Sequence, residues 1–147
     1  MRLLSGLICL TAALALPSIA ATAHSHRHKS LQVVHPWTAS TVAAATARIG
    51  FDAAVYMKIK SQSGQTDRLL SATTGIADKA EIVVGKAGTA LAETAIVIAK
   101  GQVELSAAGP HIRLVGVRKR LDPYDSFELT LVFERAGAMT VEVLVED

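Results

Sequence analysis

Ser126-Phe127-Glu128-Leu129-Thr130-Leu131-Val132-Phe133-Glu134 is the stretch that decides the fold class. Phe127, Leu129, Leu131 and Phe133 share one face, with Glu128 and Thr130 on the other, the two-residue period of a half-buried strand. Downstream, Met139, Val141, Val143 and Val145 repeat the pattern against Thr140, Glu142 and Glu146. Ala136-Gly137 lies between the runs, so they are expected to form a hairpin. Working outward, Ala53 to Lys60 places Val55, Met57 and Ile59 on one face. Shorter candidates are Leu31 to Val34, Arg68 to Ala72, Ala80 to Val84, Ala95 to Ile98, Val103 to Leu105 and Ile112 to Val117. Turn-forming clusters separate them: Ser61 to Gly64, Gly85 to Gly88, Lys100-Gly101, Ala108-Gly109-Pro110 and Leu121 to Tyr124. Many short strands so punctuated predict an all-β antiparallel sandwich or barrel. Thr38 to Arg48 and Ala90 to Ala95 have helical propensity. Neither carries an apolar stripe, and the first is read as a loop or a single helical turn.

The N-terminus reads as an export signal. Arg2 supplies the positive end, Leu3 to Leu16 the apolar run, and Pro17-Ser18 the break before the small-x-small pattern of Ala21-Thr22-Ala23. The run is shorter than the about 20 apolar residues a membrane span requires. Ser18-Ile19-Ala20 is a competing cleavage site. The single cysteine, Cys9, lies inside this signal, and the bulky Ile8 before it argues against a lipid anchor. The expected organisation is a signal peptide over 1–23, a His-rich tail over 24–30 and one β domain over 31–147, in the periplasm. Removing the signal takes Arg2 away, so the formal charge of +2 falls to about +1. So small a charge gives nucleic acid no basic patch to bind. The aromatic side chains are too few for a carbohydrate-stacking face.

Cleavage after Ala23 starts the mature chain at His24-Ser25-His26-Arg27-His28. Neutral imidazole is the commonest ligand for borderline metals. With His26 third in the chain, an α-amine, two backbone amides and an imidazole can surround Cu(II) or Ni(II) in a square plane of nitrogens, and copper leads the affinity order. His24 offers its amine and its own ring as another chelate, and His28 is a spare ligand. The opposing reading is that the histidines are solvated spacer. With Cys9 removed, metal is left to nitrogen, oxygen or thioether donors.

An ordered series of segments resembles the PCu(A)C-type periplasmic copper chaperones. It runs through His35-Pro36-Trp37-Thr38-Ala39-Ser40, Ala54-Val55-Tyr56-Met57-Lys58-Ile59, Thr66-Asp67-Arg68-Leu69-Leu70-Ser71-Ala72 and Ala80-Glu81-Ile82. It continues in Val103-Glu104-Leu105, Gly109-Pro110-His111-Ile112-Arg113-Leu114-Val115-Gly116 and Leu129 to Gly137. The resemblance implies a cupredoxin-like, immunoglobulin-like antiparallel β-sandwich, and a Cu(I) site of two histidines and two methionines ending in His-x-Met. Of these ligands only His111 matches. Val83 stands at the first histidine position and Arg113 at the last methionine, and the loop from Gly85 to Thr94 is short and contains no methionine. Arg113 two residues from His111 on a strand would oppose a second positive charge. His35 reads as structural, beside Pro36-Trp37 at a strand edge, and Met57 and Met139 read as core.

The candidate metal ligands are therefore His24, His26, His28 and His111. The leading reading is a copper-binding, chaperone-like exported protein, with Cu(II) at the tail favoured over Cu(I) at a degenerate family site. Its implied partner is a cuproenzyme such as a terminal oxidase. A second reading is a metal-free structural or interaction module. A third is an oxidative copper enzyme with a histidine brace at His24. With no acid–base pair, Ser/His/Asp set or phosphate loop in the chain, an enzyme is not expected.

Overall fold

The computed structural model describes residues 25–41, 50–85, 91–92, 95–99 and 101–147. Every regular element among them is a strand. In chain order these are β1 (Ser25–His28), β2 (Leu31–Ala39), β3 (Phe51–Ser61), β4 (Asp67–Thr73), β5 (Ala77–Val84), β6 (Leu91–Ala92), β7 (Ile96–Ile98), β8 (Gln102–Leu105), β9 (His111–Val117), β10 (Ser126–Phe133) and β11 (Gly137–Glu146). The segment read as a leader, residues 1–23, and His24 lie outside the described residues.

β10 and β11 form the expected hairpin, with Phe127 opposite Val143, Leu129 opposite Val141 and Leu131 opposite Met139. All six are buried. Gly137 closes the turn at φ +81°, a value a side chain resists. From the hairpin the sheet continues through β4, β5, β9 and β3 to β2, and β2 pairs in turn with β11. Seven strands thus close on themselves. The all-β expectation holds, but the two separate sheets of a sandwich are replaced by one continuous barrel. Closure depends on β2, which is paired along both edges. One side takes β3 at Leu31–Val34 and again at Trp37-Thr38, and the other takes β1 at Leu31–Val34 and then β11, in parallel, at Trp37–Ala39.

The change of partner falls at a bulge over His35-Pro36, where the β2–β3 register slips and His35 adopts φ +52°. Proline cannot donate to a ladder, and a bulge is where a paired strand tolerates it. The pair marks the inside of a strand, where the sequence reading put a strand edge. Met57 and Met139 are core residues as expected. Asp67 is buried among them, its carboxylate accepting from the backbone N–H groups of Arg68 (2.8 Å), Arg135 (2.9 Å) and Ala136 (3.0 Å). It fastens the β10–β11 turn to the start of β4. Gly116, at φ +67°, lies so close to β5 that an added Cβ would run into the Asp78 carboxylate.

Periodicity did not reveal β1 or β6. The alanine-rich Thr38 to Arg48 splits: Thr38-Ala39 end β2, while 42–49 lie outside the described residues. Within Ala90 to Ala95, Leu91–Ala92 pair with β5 as a strand rather than a helix, and 90, 93 and 94 lie outside.

Candidate metal centres

One row of side chains crosses the outer face of the barrel. Strand alternation turns Ile112 and Leu114 into the core, so His111 and Arg113 face outward together. Trp37 of β2 pairs with Tyr56 of β3, their ring centroids 4.9 Å apart. The Tyr56 ring lies 6.2 Å from that of His111. His111 in turn pairs across the ladder with Val83 of β5, which pairs with Ala92 of β6. Although it faces outward, His111 is only 4% exposed. Its Nδ1 donates to the Gly109 carbonyl at 3.1 Å, so Nε2 is the ring nitrogen left for a metal. The position facing it across the ladder is the isopropyl group of Val83, which has no lone pair to offer.

Arg113, next along the same face, is committed elsewhere. It pairs with Glu81 in register and donates to its carboxylate at 2.6 Å, with Asp52 at 4.0 Å. Lys79 bonds the same Glu81 carboxylate. The Glu81 carboxyl is held below its ordinary value of 4.5, first by the Lys79 hydrogen bond, which outweighs the opposing effect of desolvation, and further by the Arg113 charge. Arg113 is therefore charge-balanced, and the repulsion expected at His111 is offset by two carboxylates.

The N-terminal histidines lie elsewhere. Ser25–His28 form a strand on β2, with His26 opposite Val33 and His28 opposite Leu31. Both partners are buried, so the two imidazoles occupy the core-facing side of the ribbon and are half-buried. They reach β11 and the turn that precedes it. His26 Nε2 accepts the Glu142 backbone N–H at 3.2 Å, and His28 Nε2 donates to the Ala136 carbonyl at 3.1 Å. An N–H donor facing His26 Nε2 requires a lone pair there, so the ring proton sits on Nδ1. Ser25 and Arg27 point to solvent.

His26 and His28 share one face of β1, whereas His111 is three strand spacings away, beyond β2 and β3, a sheet path of about 15 Å at ordinary strand spacing. His24 lies outside the described residues. Among the described residues no three of His, Cys, Asp and Glu are grouped to hold a metal. The structure thus brings His26 and His28 together and leaves His111 apart. His35 joins neither group: its Nε2 lies 3.1 Å from the Glu146 carboxylate, tying β2 to β11 at the bulge. Neither that pair nor the Trp37–Tyr56–His111 row had a periodic signal in the sequence, because both depend on the register between strands.

Comparison with known proteins identifies the architecture. The chain is similar to the apo PCuAC domain of PmoF1, at 24% identity over 84% of this chain and 98% of that one, with a TM-score of 0.72. It is similar to the copper-bound PCuAC domain of PmoF2, at 26% identity over 84% and 97%, with a TM-score of 0.67. It also resembles the Cu(I) form of DR1885 from Deinococcus radiodurans, at 22% identity over 86% and 83%, with a TM-score of 0.61. No curated protein sequence matches it. The profile of the LpqE-like lipoprotein family matches residues 31–145, from the start of β2 almost to the end of β11. The chain therefore belongs to the LpqE-like family and shares the fold of PCuAC domains.

Proposed function

We propose that this protein is exported and carries copper as cargo in the periplasm, with the family Cu(I) site degenerate and its N-terminal histidines as the metal-capturing group. The observation that carries the degenerate-site reading is the β5–β9 register. It sets Val83 opposite His111 and Arg113 opposite Glu81. These are the positions at which the resemblance implies a histidine and a methionine. With a valine in one and an ion-paired arginine in the other, His111 is left as a single neutral donor, too few for tight cuprous copper. Cleavage after Ala23 then supplies what the barrel lacks: the α-amine, the Ser25 and His26 amides and the His26 ring for one Cu(II), with His24 and His28 as further donors. Copper so held would pass to a cuproenzyme such as a terminal oxidase.

One observation favours the metal-free module instead. His26, His28 and His111 each have a backbone hydrogen-bond partner without any metal. Two measurements separate the readings. The mass of the mature protein gives its first residue: His24 supports the chelate, whereas a lipidated chain beginning at Cys9 removes it. Competition with a Cu(I) chelator should show weak cuprous binding in the wild type and partial recovery in Val83→His/Arg113→Met. Tight Cu(I) binding by the wild type would overturn the degenerate-site reading.

A further inference from the structure

We infer that Cu(II) capture at the N-terminus and docking of β1 on the barrel are mutually exclusive, so that copper unzips β1. The inference rests on the N-terminal chelate proposed above. Three features of the docked strand oppose that chelate. First, consecutive N–H groups of a strand point to opposite edges, whereas the chelate turns the Ser25 and His26 amide nitrogens onto one ion. The two-residue turn Lys29-Ser30 makes His28–Leu31, and therefore His26–Val33, the hydrogen-bonded pairs. The His26 amide thus faces β2, and that of Ser25 faces away.

Second, only Nδ1 of His26 closes a six-membered ring with its own amide nitrogen around the metal. In the docked strand Nδ1 holds the proton, because Nε2 accepts the Glu142 N–H. Third, the hinge is strained. Lys29 sits at φ +53°, where a side chain is disfavoured, and β1 has only four residues. A short strand on a strained hinge is held weakly enough for a ligand to displace it.

Apparent copper affinity is then the chelate's own affinity reduced by the fraction of protein with β1 undocked. Coupling runs both ways: docking weakens copper, and copper weakens docking. Loaded and empty protein differ by a free β2 edge at Leu31–Val34, together with the Glu142 N–H and the Ala136 carbonyl.

The test uses the chain beginning at His24, which contains every described residue, titrated with Cu(II) sulfate. Visible absorption reads the chelate, and amide hydrogen exchange reads β1. One equivalent should speed exchange at His28, Leu31, Val33 and Glu142 while leaving Leu129 and Leu131 unchanged. Lys29→Pro cannot adopt the hinge φ, so β1 should exchange fast without copper and affinity should rise about tenfold. Lys29→Gly relieves the strain and should weaken copper about threefold. If the chelate's band forms while β1 and Glu142 stay protected, or if both variants bind as the wild type does, the coupling is refuted and the chelate stands. If no band forms, the chelate is refuted and the coupling with it.

Discussion

Replacing Asp67 should cost the barrel more than any other polar substitution among the described residues. The side chain is 4% exposed, and its two oxygens accept three backbone N–H groups, at 2.8 Å from Arg68, 2.9 Å from Arg135 and 3.0 Å from Ala136. Ala136 is itself 2% exposed, so water has little access to the abandoned donor. A buried donor left unsatisfied costs about 1–3 kcal/mol, and bonds to a charged acceptor are the stronger kind. With two donors stranded in the turn, Asp67→Ala is expected to lose about 3–5 kcal/mol, a large share of the about 5–15 kcal/mol that holds a domain. Asp67→Asn separates charge from shape. Its Oδ1 still accepts from Arg68 and Arg135, but its NH₂ faces the Ala136 N–H, so about 2 kcal/mol should go. Urea unfolding followed by Trp37 fluorescence measures both, with the slope against denaturant unchanged. If both variants lose less than about 1 kcal/mol, the turn does not depend on this carboxylate.

Two further outcomes follow from the same geometry. Phe133→Ala removes a ring that is 2% exposed and should destabilise by about 3–5 kcal/mol in the same assay, since the closed barrel cannot collapse into the space. Glu81, whose carboxyl is depressed below 4.5, contributes stability that is present above that pH and is lost as pH falls through its folded value. The melting-temperature gap between wild type and Glu81→Gln should therefore be constant near neutrality and shrink in acid. A gap that widens in acid contradicts the Lys79–Glu81–Arg113 network.

Most of the strand plan could be read because alternation is a local signal. Phe127 to Phe133 and Met139 to Val145 sort their residues between core and solvent wherever they stand in the barrel. β1 escaped because Ser25-His26-Arg27-His28 has no apolar residue to alternate. Its inward positions are imidazoles, which satisfy β11 by hydrogen bonding rather than by area. Closure of the sheet was equally invisible, because the β2–β11 pairing joins strands far apart in sequence and depends on the His35-Pro36 bulge. At the family site, the residue types were legible and their relations were not. That the resemblance implies ligands where Val83 and Arg113 stand could be read from the sequence. That Val83 faces His111, and that Arg113 is neutralised by Glu81 and Asp52, required the β5–β9 and β3–β9 registers.

The claim that the N-terminus, not the barrel, takes the copper is tested most directly by titrating Cu(II) into the chain beginning at His24, beside His26→Ala and His111→Ala. The visible spectrum is recorded across pH. One equivalent should give the high-energy band of a square-planar nitrogen site, weakening steeply as pH falls because amides and imidazole must lose protons to bind. His26→Ala should abolish the band, and His111→Ala should leave it intact. A band that survives His26→Ala and disappears with His111→Ala would place the copper in the barrel and contradict the account.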